Sequence, residues 1–145
     1  MAVKTGKISV PKGLTAALLA ATVEAEVLDN DGNQPEEVIK AGTDLRVRVR
    51  WTLSGVLATM IGGSFRAEAR FDGVGAIPDF STAAPDQPTQ PLPAGGVHVV
   101  DVLVPAAAFA GDAYNVSAVL TYIDGLGVAG PIKGIVDLDQ IALSP

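Results

Sequence analysis

DLRVRVRWTL, residues Asp44 to Leu53, alternates arginine with valine and then places the only tryptophan of the chain in the apolar series. In period two, Leu45, Val47, Val49, Trp51 and Leu53 fall on one face, and Arg46, Arg48, Arg50 and Thr52 on the other. A basic stripe for nucleic acid would account for the arginines alone. A strand with one face in a core and the other in water accounts for both sets. The same alternation returns in SFRAEARFD, where Phe65, Ala67, Ala69 and Phe71 oppose Arg66, Glu68, Arg70 and Asp72. These two strands, joined by SGVLATMIGG, are expected to pair or to face one another.

The pattern spreads outward from there. TVEAEVLD sets Val23, Ala25 and Val27 against Glu24 and Glu26 and ends in the turn DNDGN. A short piece, EEVIKAG, leads from it into Asp44. VHVVDVLVP is β-branched and stops at Pro105, which cannot donate to a ladder. In YNVSAVLTYI, Tyr114, Val116, Ala118, Leu120 and Tyr122 share a face while Val119 and Ile123 stiffen the other, as expected of a central strand. Asp-Gly in DGLG then turns the chain, and a last strand is expected from about Ile132 to Leu143. Ser81 to Gly96 is rich in proline and lacks apolar periodicity, so it reads as a long loop or covering strap of polyproline character. The count is six to eight short strands with no βαβ alternation and no internal repeat. The fold class this implies is all-β: an antiparallel two-sheet Greek-key sandwich. It occupies residues 21–145, preceded by an arm over residues 1–20 that is flexible or partly helical, since GLTAALLAA is rich in good helix formers.

Composition narrows the function classes. The chain has 145 residues, 48% of them hydrophobic, enough for one core and too few for two. A formal charge of −6 argues against a nucleic-acid partner, because phosphate binding needs clustered basic charge. No cysteine is present, which removes disulfides, thiolate zinc sites and cysteine nucleophiles together. The apolar run Leu14 to Val23 is about half of the roughly 20 residues a membrane-spanning helix needs. No membrane span is expected. Lys4, Lys7 and Lys12 stand ahead of that run, but Pro11 precedes a short apolar stretch with no small-x-small cleavage site after it, so a cleaved leader is not expected. The compartment stays open: cytoplasmic at synthesis, with membership of an exported assembly compatible.

At GDAYNVSA the chain resembles the immunoglobulin-like fold, in which a tyrosine near the start of the penultimate strand bonds back to the preceding corner. Tyr114 takes that part, and Val116 stands where antibody domains put a cysteine. The absence of a cysteine pair, and Trp51 on the second strand rather than the third, set the chain apart from antibody-type domains. The longer pattern RVRVRWTLSGVL, SFRAEARFDGVG and YNVSAVLTYIDGLGVAGPIKGIVDL is similar to that of small bacterial single-domain proteins associated with phage-tail-like contractile injection gene clusters. That resemblance implies a structural or accessory component of a large assembly. It carries over no catalytic or binding residue.

Chemistry-bearing residues are few. His98 is the single histidine, on a strand where it is expected to point outward or lie at an edge, and no nucleophile elbow accompanies it. No enzyme activity is expected. The turn DNDGN offers Asp29, Asp31 and Asn33 as candidate metal ligands, with Asp137 and Asp139 as distant contributors. A calcium loop needs an acid eleven positions after Asp29, however, where the chain has Lys40, and Asp, Asn and Gly are also the residues of backbone turns. Neither a metal nor a cofactor is therefore expected. Glu36 with Glu37, or Asp137 with Asp139, lacks the aromatic platforms of a glycosidase cleft, and the glycines match no phosphate loop. Arg46, Arg48, Arg50, Arg66 and Arg70 remain as a candidate interaction patch for an acidic partner surface, which Glu24, Glu26 and Glu68 are equally placed to neutralise. The leading expectation is a non-enzymatic structural or interaction module that binds a protein partner or its own copies as a homo-oligomer. The alternative is a sandwich that binds carbohydrate or calcium through loops at one end, where Phe80 and Phe109 are the available aromatics.

Overall fold

A computed structural model describes residues 3–34, 38–89 and 96–144. Its strands are β1 (Lys4–Thr5), β2 (Lys7–Ser9), β3 (Ala20–Asp29), β4 (Val38–Lys40), β5 (Leu45–Ser54), β6 (Ser64–Gly73), β7 (Phe80–Ala83), β8 (Gln87–Pro88), β9 (Val97–Val104), β10 (Ala113–Ile123) and β11 (Ala129–Ser144). Two single turns of 3-10 helix, Val56–Thr59 and Ala106–Ala108, are the helical segments among the described residues. One sheet runs β1-β3-β5-β9; the other runs β2-β11-β10-β6-β7, with β4 beside β11 and β8 beside β6. The main strands pair antiparallel, and β4 alone lies parallel to its neighbour. From β5 the chain crosses to the second sheet for β6, returns for β9, and crosses again for β10, which makes the fold an Ig-like Greek-key sandwich.

The two strands expected to pair or face one another do face: β5 and β6 lie in different sheets. Their apolar sides meet between the layers, where Val47, Val49 and Trp51 of one sheet and Phe65, Ala69 and Phe71 of the other are almost completely buried. Each such aliphatic side chain contributes about 1.5–3 kcal/mol by leaving water. Trp51 packs against Phe65 at 5.6 Å between ring centres. Phe71, Phe80, Phe109 and Tyr114 form a second aromatic cluster of stacked and edge-on contacts. Tyr114 is fully buried, and its hydroxyl accepts the Gly111 amide at 2.7 Å, closing the corner before β10. As anticipated, β10 is central, flanked by β11 and β6.

The N-terminal residues depart from a helical or flexible arm. Lys4–Thr5 adds to the edge of β3, Lys7–Ser9 adds to the edge of β11, and Gly6 makes the step between sheets. A methyl group at Gly6 would run into the Ile135 carbonyl, so only glycine permits that crossing. After it, residues 12–18 form turns and β3 begins at Ala20; of the Ala/Leu run only Leu19 is buried, so the run offers no continuous apolar stripe to hold a helix on the core. The proline-rich segment, expected as a long loop or covering strap of polyproline character, contributes short strands instead. Phe80–Ala83 and Gln87–Pro88 both pair with β6, with Pro88 at the end of its ladder, where no amide is needed. Residues 90–95 of that segment, and Glu36 and Glu37, lie outside the described residues.

Candidate functional site

The arginines of β5 stand in rows across the outer face of the first sheet. Arg50 lies between Glu24 and Val99, Arg48 between Glu26 and Asp101, and Arg46 between Leu28 and Leu103. Arg48 donates through Nε and Nη2 to the two carboxylate oxygens of Asp101, at 2.7 and 3.1 Å. Arg46 lies 3.7 Å from the same carboxylate. Arg50 reaches Glu26 at 3.1 Å and Glu24 at 4.0 Å, and Gln34 donates to the other Glu26 oxygen. Hydrogen bonding from Arg48 holds the Asp101 carboxyl below its ordinary range and raises the Arg48 guanidinium in turn. Three cations thus meet three acids, so this face presents ion pairs rather than an uncompensated positive stripe.

Arg66 and Arg70 lie on β6, on the outer face of the other sheet, and the five arginines therefore do not form one patch. Arg66 pairs bidentately with Asp86 at 2.9 and 3.2 Å, and Arg70 meets Glu68 at 3.1 Å. Asp101 and Asp86 are the partners that sequence reasoning missed. Asp101 had a signal in the alternation of VHVVDVLV; Asp86, between two prolines, had none.

The DNDGN stretch spends its carboxylate on the backbone. Asp29 Oδ1 accepts the amides of Asp31 and Asn33, both at 2.9 Å, and Gly32 takes a positive φ of 82°. Asp124 builds the β10–β11 turn in the same way, accepting from Leu126 and Val128. Asp137 accepts the Asp139 amide, and Asp139, at a φ of 64°, pairs with Lys4 at 2.9 Å. No group of three metal-ligating side chains occurs among the described residues.

His98 lies on an edge strand, as one of its two expected placements had it, but does not point outward. It sits 8% exposed on the core side of β9, with its ring stacked on Trp51 at 5.1 Å and 5° between planes, and burial pushes its imidazole below the ordinary range. The alternation of β9 admits either face inward, since Val97, Val99 and Leu103 are as apolar as Val100, Val102 and Val104. Asp101 decides between them, because it must reach Arg48 in water. Four of the seven aromatic side chains are buried and three, Phe80, Phe109 and Tyr122, are half-buried; Phe80 and Phe109 pack edge-on against each other rather than side by side on one face.

That choice leaves Val97, Val99 and Leu103 at 54%, 51% and 63% exposure along the outer side of β9. β9 is also the last strand of its sheet, and no described residue pairs with its far edge. The other edges are shorter or guarded. β7 has four residues, while β11 is flanked by β2 and β4 and interrupted by a register shift between Asn115 and Ser117 of its partner. An eight-residue edge of high β propensity, without lysine or proline, is the feature most open to another strand.

No family model and no curated protein matches this chain. Among solved structures it is similar to one described as the crystal structure of the C-terminal domain of wzt, with a TM-score of 0.65 and 9% sequence identity. The alignment covers 97% of this chain and 78% of that one. At this identity the likeness concerns the fold: a two-sheet β-sandwich.

Proposed function

We propose that the chain is a non-enzymatic interaction module that accepts a strand from a neighbouring subunit along β9, its own copies first, as a component of a larger bacterial or phage-like assembly. The observation that carries this reading is the edge of Val97–Val104, which no described residue pairs, with three exposed aliphatic side chains beside it. Strand addition supplies main-chain hydrogen bonds along the edge, and alternate side chains supply selectivity. The packing of the only histidine against Trp51 supports a role without acid–base chemistry.

Size-exclusion chromatography with light scattering, followed by electron microscopy, tests the proposal. The expected result is concentration-dependent association that is lost in Val99→Lys and Leu103→Lys, variants that place a charge on a solvated face and leave the core intact. A wild-type protein that is strictly monomeric at high concentration, or variants that associate equally well, would overturn it.

A further inference from the structure

The outer face of the second sheet holds a depression of about 440 Å³ that runs over β2, β11, β10 and β6. Its floor is aliphatic, with Val119 opposite Ile135. Around the floor stand Lys7, Lys133 and Arg70. Lys7 is opposite Ile135 and Lys133 is opposite Ser9, so the two lysines are diagonal neighbours on one face. Arg70 is compensated by Glu68. Lys7 and Lys133 have no acidic partner among the described residues, which leaves a local positive site on a chain of net charge −6.

We propose that this groove binds an acidic, extended segment of a protein partner, with carboxylates at alternate positions directed at Lys7 and Lys133. Diagonal neighbours on adjacent strands are about 7–8 Å apart. Same-face side chains of an extended peptide repeat at about 6.6–6.8 Å, so one peptide face places successive carboxylates at the two ammonium groups. Four strands span about 14 Å, room for about four residues of extended chain. Thr121 flanks the lysines as a hydroxyl donor. Nucleic acid and saccharide fit less well, because the floor offers aliphatic side chains rather than stacking rings. The proposal rests on reading the chain as an interaction module, and it uses the sheet opposite β9, so either surface can fail while the other stands.

The test is a fluorescence-polarisation titration of the full chain with a labelled hexapeptide alternating glutamate and alanine, alongside its lysine counterpart, at low and at physiological salt. Saturable binding of the glutamate peptide alone is expected, weakened at least tenfold in Lys7→Glu/Lys133→Glu and unchanged in Lys40→Glu, which alters a lysine on β4 outside the groove. NMR shifts are expected at Thr121 and Ile135, with none along β9. Circular dichroism of the double variant verifies that it is folded. Absence of saturable binding, equal weakening by Lys40→Glu, shifts confined to β9, or a sulfated dextran that binds where the peptide does not would each overturn the proposal.

Discussion

Tyr114 joins two functions in one side chain: its ring fills the core beside Phe71 and Phe109, and its hydroxyl satisfies the Gly111 amide. Removing the oxygen leaves a half-buried donor without a partner. Tyr114→Phe is therefore expected to cost about 1–3 kcal/mol in urea unfolding, with the β signature of the circular dichroism spectrum retained. His98 makes a pH-dependent contribution whose sign follows from burial. The unfolded chain takes up a proton near pH 6.5, whereas the folded chain resists protonation to lower pH. Stability is thus unaffected above about pH 6.5 and declines as pH falls below it, until the folded imidazole also protonates. In His98→Phe, which keeps an aromatic ring against Trp51, the decline between pH 7 and pH 5 in thermal or urea unfolding is expected to vanish. Asp101 acts in a lower window: its stabilising pair with Arg48 is intact above the ordinary carboxylate range and is lost as pH falls through the depressed value.

Elements carry the next level of specificity. The Arg48–Asp101 pair ties β5 to β9 on a solvated face, so Asp101→Asn is expected to cost no more than about 1 kcal/mol by denaturation, while loosening the amides of β9 in hydrogen exchange. The long strands were legible because alternation over eight or more residues leaves one reading of inside and outside, as in β5 and β6. What alternation does not encode is which sheet a strand joins. Arg66 and Arg70 share the pattern of Arg46, Arg48 and Arg50, yet they emerge on the opposite side of the sandwich, because the β5–β6 connection crosses layers. Short strands escape for a different reason: two or three residues, as in Lys4–Thr5, Lys7–Ser9 or Gln87–Pro88, carry no period at all, and their pairing is decided by the edges they meet. The orientation of β9 was hidden because both its faces are aliphatic, and the candidate binding edge was hidden with it.

At the scale of the whole molecule the two ends of the sandwich differ. One end gathers Asp29, Asp31, Asp44, Asp72, Asp79 and Asp112 against Lys40, none of these acids being in an ion pair among the described residues. The other end presents Val56, Met60, Leu126 and Val128 at exposures from 58% to 91%. Repulsion between acidic molecules opposes contact through the apolar end at neutral pH. As pH approaches the isoelectric point near 4.5, that opposition vanishes, and light scattering is expected to rise. Met60→Gln/Leu126→Gln, which changes no charge, is expected to suppress the rise. The start of the chain bears on the same integrity. Residues 4–9 clasp both layers at once, with β1 on one sheet, β2 on the other and Gly6 as the only kind of pivot that fits between them. Unfastening that clasp would bare the margins of β3 and β11 in a single event, so six residues keep two further sites of strand capture closed.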